Sequence, residues 1–229
     1  MPKQRRGKLI VIEGLDGSGK ATQAGLLFSR LKKAGYKTAL ADFPQYYSSF
    51  FGAMVGQYLR NEFGPATKVN SYLASLLYAF DRWEAKPKLD KWLREGSIIV
   101  GDRYTPSNAI HQTAKLKSRS ERQKYLAWLE KVEYKILGIP KPDLVLFLSV
   151  PHSVSWRLAR QRGKRDYIGY KLDGHERSRK HQQDAYENAH KLIRSLGWQR
   201  INCVENGKML GREAIGERVW QVVQKRIKA

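Results

Sequence analysis

The residues best suited to chemistry form a glycine-rich stretch between an apolar strand and an amphipathic helix near the start of the chain. Its glycines let backbone N–H groups point into one concavity, and the lysine that follows adds positive charge at a helix N-terminus. In this context the pattern Gly-x-x-x-x-Gly-Lys is the P-loop, which cradles nucleotide phosphates. It predicts phosphate binding by nine residues: Gly14, Leu15, Asp16, Gly17, Ser18, Gly19, Lys20, Ala21 and Thr22.

A candidate magnesium residue, Asp102, follows a predicted strand over 97–101. Ala21 stands where a P-loop ordinarily has serine or threonine, so the hydroxyl that usually binds magnesium is absent. A carboxylate at the end of a buried strand can hold Mg²⁺ directly or through water. The adjacent Arg103 can bind a phosphate with its planar guanidinium. The alternative for these two residues is a structural ion pair.

Tyr78 and Arg82 are four residues apart in a predicted helix over 71–85, so they share one face of it. There the aromatic ring can stack on a nucleobase while the guanidinium donates to a base oxygen or a phosphate. The alternative is a tyrosine in the core and an arginine on the surface. Taken alone, the spacing favours that alternative.

A cationic segment separates predicted helices over 154–161 and 176–195. Phosphoryl transfer needs positive charge over the γ-phosphate, and a closing lid often brings it. A solvated basic loop is the commoner explanation of such a run. The candidate lid residues are Arg160, Arg162, Lys164 and Arg165.

Apolar strands alternate with helices along the chain, which predicts an α/β fold: a parallel sheet with helices on both faces. Ligands of such sheets bind beyond the carboxyl ends of the strands, where Asp16, Pro44 and Arg103 follow three of them. The strands are expected at 9–12, 38–43, 97–101, 143–150 and 198–204. The expected helices include 50–59, 71–85, a separate helix leading to residue 96, 119–137 and a last helix around 215–222.

The composition suits one globular domain without a membrane partner. The chain has 229 residues, and its longest apolar runs are too short to span a bilayer. The first residues lack the apolar segment of a signal peptide. The single cysteine, Cys203, excludes an intramolecular disulfide and fits a reducing cytosol, so a cytoplasmic location is expected.

The chain is strongly basic, since 43 Lys and Arg against 21 Asp and Glu give a net charge of +22. Such a balance attracts polyanions, either nucleic acid or nucleotide phosphates. The sequence contains no nucleic-acid-binding module pattern, so nucleic acid is not the expected partner. A basic P-loop ATPase that acts on nucleic acid stays open as an alternative, and it would bind DNA or RNA in a salt-sensitive way.

Five segments occur in a fixed order: 12–23, 43–44 (Phe-Pro), 78–83 (Tyr-Ala-Phe-Asp-Arg-Trp), 102–108 (Asp-Arg-Tyr-Thr-Pro-Ser-Asn) and 140–144 (Pro-Lys-Pro-Asp-Leu). Together they resemble the thymidylate kinase (dTMP kinase) family, over about residues 8–205. The resemblance implies a three-layer fold like that of P-loop nucleoside monophosphate kinases, with a central parallel five-stranded sheet. It also implies one kinase domain over 1–229, a mobile lid at about 162–176, and a cytoplasmic homodimer. Such an enzyme uses ATP, dTMP and Mg²⁺ to make ADP and dTDP.

The resemblance also implies roles for single residues. Lys20, Asp16 and Arg103 would be catalytic. Asp16 would engage Arg103 and the region of the sugar 3′-hydroxyl, and Arg103 would contact the dTMP phosphate. Tyr78 would stack on thymine, and Arg82 would contact a thymine carbonyl. ATP would bind along the P-loop. The implied dTMP-binding residues are Asp16, Phe43, Pro44, Tyr78, Arg82, Arg103, Ser107, Asn108, His111 and Gln112.

Two further positions depart from the family pattern. His111 stands where the family usually has an aromatic residue near the sugar. Discrimination against a sugar with a 2′-hydroxyl is therefore expected to differ from that of the family. Tyr46 stands where some members carry a phosphate-binding arginine, which leaves more of that contact to Arg103. A kinase for another nucleoside monophosphate or a deoxynucleoside is therefore a second interpretation. Both kinase interpretations predict saturable phosphorylation of a small acceptor.

Overall fold

A five-stranded parallel sheet lies at the centre of the computed structural model, which describes residues 6–160 and 178–228. The spatial order is β2-β3-β1-β4-β5, and every neighbouring pair is parallel. The sheet and its strand number confirm the prediction from the sequence, and the strand ends differ from it by at most two residues. The strands are β1 (Lys8–Gly14), β2 (Thr38–Asp42), β3 (Ile98–Asp102), β4 (Leu144–Ser149) and β5 (Gln199–Asn202).

Helices connect these strands throughout the described residues. They are α1 (Lys20–Lys33), α2 (Phe50–Leu59), α3 (Ser71–Arg94), α4 (Thr105–Thr113), α5 (Arg119–Glu130), a π-helix (Lys131–Ile136), α6 (His152–Arg160), α7 (Arg179–Ser195) and α8 (Arg212–Lys228). None of the helices in these parts of the chain is both long and apolar enough to cross a lipid bilayer.

Apolar side chains on both faces of the sheet make it the middle of three layers. Ile10 and Ile12 of β1 pack on the face that α1 and α8 cover. Leu9 and Val11 point to the opposite face, where they pack with residues of α3. Because β1 is buried on both sides, its sequence is almost continuously apolar rather than alternating.

Helix α3 is longer than expected, because it runs through Pro87 to its end at Arg94 where the sequence predicts two helices. A proline inside a helix removes one backbone hydrogen bond and usually kinks or ends the helix. Here Ala85, Leu89 and Leu93 stay buried in one apolar cluster on both sides of Pro87. This continuous burial outweighs the lost hydrogen bond, so the predicted break is wrong.

The π-helix replaces the second half of the α-helix predicted over 119–137. A capping box between Ser118 and Glu121 starts α5, but α-helical winding ends at Glu130. In the π-helix that follows, Val132 and Glu133 are buried. Such wide turns leave no distinct apolar period in a sequence, which explains the error.

Helix α4 is a second element that the sequence does not predict. Proline near its N-terminus suits the first turn of a helix. Every residue of α4 except Ser107 is buried, so there is no polar face to create a period in its sequence.

A short hairpin follows β5 and shortens the last predicted strand. Strand β6 (Val204–Glu205) pairs antiparallel with β7 (Lys208–Met209). The backbone N–H of Leu210 donates to the Cys203 carbonyl oxygen at 2.9 Å, which brings the hairpin back towards β5.

The carboxyl ends of adjacent strands bring distant segments together. Parallel register places Ile12 beside Asp102, and Asp102 beside Asp42. The P-loop, Phe43 and Arg103 therefore leave the sheet side by side, which confirms the predicted convergence at this edge.

Candidate active site

A cavity of about 780 Å³ opens at the carboxyl edge of the sheet. Its walls come from the P-loop, α3, α4 and the segment around the start of α8. All ten residues of the predicted dTMP site line it, as do the P-loop residues from Asp16 to Thr22. Gly14 and Leu15 are not on its wall: Gly14 ends β1, and Leu15 is buried in an apolar cluster beneath the loop.

Two glycines fix the path of the P-loop. Gly17 has a φ of +86°, and a Cβ there would lie 2.1 Å from the carbonyl oxygen of Ser155 in α6, so only glycine fits. Gly19 has a φ of +87° and forms the N-cap of α1, with open space beside it. The positive end of the α1 dipole therefore meets the cavity without a side-chain cap in front of it.

Lys20 folds back over the loop with only 5% of its surface exposed. Its Nζ donates to the Leu15 carbonyl oxygen at 2.8 Å and lies 3.9 Å from an oxygen of Asp16. In a P-loop, this position directs the lysine ammonium towards the phosphate-binding concavity.

Asp16 and Arg103 form an ion pair that links the P-loop to the end of β3. Arg103 Nη2 donates to Asp16 Oδ1, and Gln182 of α7 donates to Asp16 Oδ2 at 3.3 Å. Burial lowers the pKa of Arg103, but the attraction of Asp16, Glu13 and Asp102 outweighs burial and raises the pKa above its ordinary value. Sequence reasoning predicted the pair but missed Gln182.

Glu13 is a fully buried carboxylate below this pair, and sequence reasoning gave it no role. Its Oε1 accepts from the backbone N–H of Tyr104 at 3.0 Å and from the Ser107 hydroxyl at 2.8 Å. Burial raises the pKa of Glu13, against the opposite effects of Arg103 and Lys20. A lone acidic residue in an otherwise apolar strand was the available signal.

Asp102 lies on the cavity wall beside Asp42 of the next strand. Carboxylate oxygens suit Mg²⁺, but the described residues contain no cluster of three His, Cys, Asp or Glu side chains that could hold an ion. Asp102 and Asp42 offer one or two carboxylates, which fits Mg²⁺, an ion that keeps waters and phosphate oxygens among its other ligands. That arrangement also suits the missing hydroxyl at Ala21.

His111 lies on α4 and stacks on His181 of α7, with 5.9 Å between the ring centroids. Burial lowers the pKa of His111 to about 3, and Arg103 acts in the same direction. His111 is therefore neutral at physiological pH. Sequence reasoning placed His111 at the site but not beside His181. The same helix brings three more predicted residues to the cavity: Ser107, Asn108 and Gln112.

Tyr78 and Arg82 of α3 reach the cavity together, as their shared helix face predicts. Arg82 is 1% exposed, which excludes the alternative of a surface arginine. Its Nε donates to Oε2 of Glu133 at 2.9 Å, and its Nη2 donates to Oε1. Tyr78 is half-buried and meets the Tyr58 ring edge-on at 6.1 Å. The sequence gave no sign of Glu133.

Arg160 is the one predicted lid residue within the described residues. It is exposed at the last position of α6, where it lines a small recess with Asp16 and Gln182 beside the P-loop. The remaining lid predictions lie outside the described residues: Arg162, Lys164, Arg165 and the segment 162–176.

The cavity has another wall that sequence reasoning missed. Met209, Leu210 and Ile215 line it near α1, together with Leu158 of α6. Nε2 of Gln23 in α1 donates to the backbone carbonyl oxygen of Arg212, the first residue of α8, at 2.9 Å. Apolar residues so far along the chain carry no motif that could have marked them.

The low pKa of His111 makes stability depend on pH. The unfolded chain binds a proton near pH 6.5 and the folded chain only near pH 3, so stability falls as pH decreases through that window. Between pH 7 and 5 the His111 contribution is a loss of about 2 kcal/mol. We expect His111→Phe, which keeps a ring on His181, to show a shallower decrease in urea unfolding. Identical pH slopes for both proteins would contradict this. His190→Gln is the comparison: burial also lowers the pKa of His190, but His190 is less buried than His111, so this variant should change the slope less.

Comparison with known proteins gives a consistent result. The profile of the family described as thymidylate kinase matches residues 12–208. The chain is 33% identical over 175 residues to a thymidylate kinase of Mycobacterium tuberculosis. The aligned region covers 76% of this chain and 80% of that protein. The chain is also 36% identical over 146 residues to a thymidylate kinase of Homo sapiens. This alignment covers 64% of this chain and 62% of that protein.

A solved structure shares the whole architecture. The thymidylate kinase of Candida albicans, which is described as having broad substrate specificity, matches with a TM-score of 0.73 at 25% identity. The match covers 96% of this chain and 92% of the other. Because the family profile also extends over most of the sequence, the chain belongs to the thymidylate kinase family.

Proposed function

We propose that the protein transfers the γ-phosphate of ATP to dTMP, giving ADP and dTDP. The observation that carries the proposal is one cavity with two kinds of wall. Lys20 and the α1 N-terminus suit donor phosphates, whereas Tyr78 and Arg82 suit a base that carries carbonyl groups. A volume of about 780 Å³ is in the range of sites that enclose small ligands. Membership of the thymidylate kinase family supports the same reaction.

The acceptor phosphate needs no general base. Its second pKa is near ~6, so the attacking oxygen is already ionised at neutral pH. Catalysis then consists of aligning the two phosphates and neutralising the charge of the transferred group. Lys20 would hold the donor phosphates, and Arg103 would hold the acceptor phosphate. Asp16 would keep the Arg103 guanidinium in place.

We propose that Mg²⁺ enters with ATP and that Asp102 holds it, directly or through water. The ion would neutralise phosphate charge when bound. Asp42 lies beside Asp102 and offers a second carboxylate to the water shell of the ion. Ala21 supplies no oxygen ligand.

We propose that the adenine of ATP lies against the apolar wall of Leu158, Met209, Leu210 and Ile215. These residues share the cavity with Ala21 and Thr22, where the P-loop enters α1. An apolar wall next to the phosphate-binding loop is typical of nucleotide sites.

A cytoplasmic location is part of the proposal. Cys203 is buried, and burial raises the pKa of its thiol to about 12. A protein whose single cysteine is an inert, free thiol suits a reducing compartment.

A panel of nucleoside monophosphates assayed with ATP and Mg²⁺ tests the proposed reaction. The expected result is the highest kcat/KM for dTMP and no transfer in the presence of a chelator. Preference for another monophosphate would favour the second kinase interpretation. ATP hydrolysis that DNA or RNA stimulates, without a phosphorylated nucleotide product, would contradict both kinase interpretations.

Lys20→Ala should abolish transfer while the fold remains, because the loop backbone keeps its shape. The loss of transition-state stabilisation should be on the order of several kcal/mol in kcat/KM. Lys33→Ala, at the exposed end of the same helix, is the control and should retain activity. Near-normal turnover of a folded Lys20→Ala variant would refute the assignment of Lys20.

Arg82→Lys should reduce the preference for dTMP over dCMP. Thymine presents a carbonyl where cytosine presents an amino group, and a guanidinium has donors only. Lysine keeps a positive charge beside Glu133, so the folded state avoids an unpaired buried carboxylate. Tyr78→Ala should instead weaken all acceptors together, since any base can stack. The measurement is kcat/KM for both acceptors, and unchanged selectivity in Arg82→Lys would place base choice elsewhere.

We propose a homodimer that forms through α2 and α3. Large apolar side chains on these helices are exposed, with Phe50 at 68%, Leu73 at 62% and Trp83 at 48%. Leu73, Phe80 and Trp83 recur at helical spacing on one face of α3, and Phe80 contacts Phe51 of α2. Exposed large apolar side chains grouped on one helix face are typical of a protein–protein interface.

Sedimentation should give twice the chain mass of 26.4 kDa for the native protein. Leu73→Glu should shift it to the single-chain mass, because a charge in an apolar interface is costly to bury. Ile136→Glu, at a position 65% exposed on the π-helix, should stay dimeric. A native protein with the single-chain mass would refute the proposal.

A further inference from the structure

Arg82 and Glu133 form the most deeply buried ion pair among the described residues, with side-chain exposures of 1% and 0%. Glu133 binds the edge of the guanidinium formed by Nε and Nη2, and such a bidentate contact fixes the guanidinium plane. The ring of Tyr104 lies 5.7 Å from the guanidinium carbon. Within the described part of the chain, Arg82 Nη1 has no hydrogen-bond partner, although Arg82 lines the cavity.

Glu133 is itself held by neighbouring groups. Asn108 Nδ2 donates to Oε1 of Glu133 at 3.1 Å, and the Glu133 backbone carbonyl accepts from the N–H of Ile139 at 2.9 Å. The carboxylate thus accepts from two nitrogens of Arg82 and from one of Asn108. Three converging donors require a side chain that only accepts, which a carboxylate is and an amide is not.

The π-helix gives this carboxylate its direction. Glu133 is buried in it, whereas Lys131 and Lys135 on either side are exposed. The extra residue in a π-turn rotates the side chains relative to α-helical winding, and such turns are frequent at functional sites. The departure from α-helix therefore coincides with Glu133, the residue that forms the ion pair with Arg82.

We infer that Glu133 is a positioning residue for the choice of acceptor base. Glu133 does not line this cavity, so it acts through the cavity-lining side chains that it holds, Arg82 and Asn108. The inference rests on the proposed function, because it assigns this pair to recognition of the base of dTMP. The carboxylate holds Arg82 so that Nη1 meets a base carbonyl in one fixed direction.

Pairing with Glu133 also changes what Arg82 attracts. A lone guanidinium in the cavity would draw any phosphate oxygen towards it. The Arg82–Glu133 pair has little net charge as a whole, while its guanidinium remains a hydrogen-bond donor, which suits a neutral base. The amino group of cytosine does not accept a hydrogen bond from a guanidinium N–H. It therefore leaves the buried N–H of a fixed guanidinium unpaired, and cytosine is rejected. A guanidinium that could rotate would turn away from the amino group and avoid this cost.

Glu133→Gln tests the inference, because glutamine keeps the volume but turns an NH₂ group towards at least one donor. We expect KM for dTMP to rise about tenfold or more, as for other buried charge pairs that lose one charge. The ratio of kcat/KM for dTMP to that for dCMP should fall by a similar factor. KM for ATP should change by less than about twofold, since ATP phosphates bind at Lys20.

Tyr134→Phe is the matched control on the same π-helix. It removes the contact between the Tyr134 and Thr105 hydroxyls without touching Arg82. The control should keep the dTMP-to-dCMP ratio even if its unfolding temperature decreases. Adding Glu133→Gln to Arg82→Lys should lower the ratio no further than Arg82→Lys alone, because both changes disable one contact.

A folded Glu133→Gln variant with an unchanged ratio overturns the inference while the proposed function stands. Equal losses for dTMP, dCMP and ATP also overturn it, since they indicate a purely structural role. If Glu133→Gln does not fold, Glu133→Asp withdraws the carboxylate by one methylene, and the same criteria apply. A wild-type protein that does not phosphorylate dTMP overturns the proposed function and this inference together.

Discussion

The ion pair between Asp16 and Arg103 holds the site together, because its partners come from different strands. Asp16 belongs to the loop after β1, and Arg103 follows β3 with a left-handed φ of +62°. Gln182 extends the same contact to α7. Removing Asp16 would leave the Arg103 guanidinium half-buried without its carboxylate partner, which is strongly unfavourable. The phosphate-binding loop and the proposed acceptor arginine therefore keep one relative position.

The sequence was sufficient wherever function leaves a local pattern. The P-loop was predictable because its glycines and Lys20 act within a single turn. The parallel sheet was predictable because a strand buried on both faces, such as β1, is almost uniformly apolar. For Tyr78 and Arg82 the spacing gave the shared face correctly. It could not decide burial, because a buried arginine depends on a carboxylate elsewhere in the chain.

The remaining parts of the site depend on contacts between distant segments. Glu133 reaches Arg82 through a π-helix, which has no sequence period of its own. His111 and His181 meet only because α4 packs against α7. Glu13 differs from its apolar neighbours, but its partners follow β3 and not β1. Tertiary packing, rather than local preference, selects these residues.

Helix α4 has almost no free surface, since every residue except Ser107 is buried and it packs against α3, α5 and α7. Its amide protons should exchange only when a large part of the fold opens, not through local fraying. The helix that carries Asn108, His111 and Gln112 is therefore ordered before any nucleotide arrives, and its conformational entropy is lost on folding rather than on binding. An acceptor of the wrong shape therefore meets a helix that does not adapt to it.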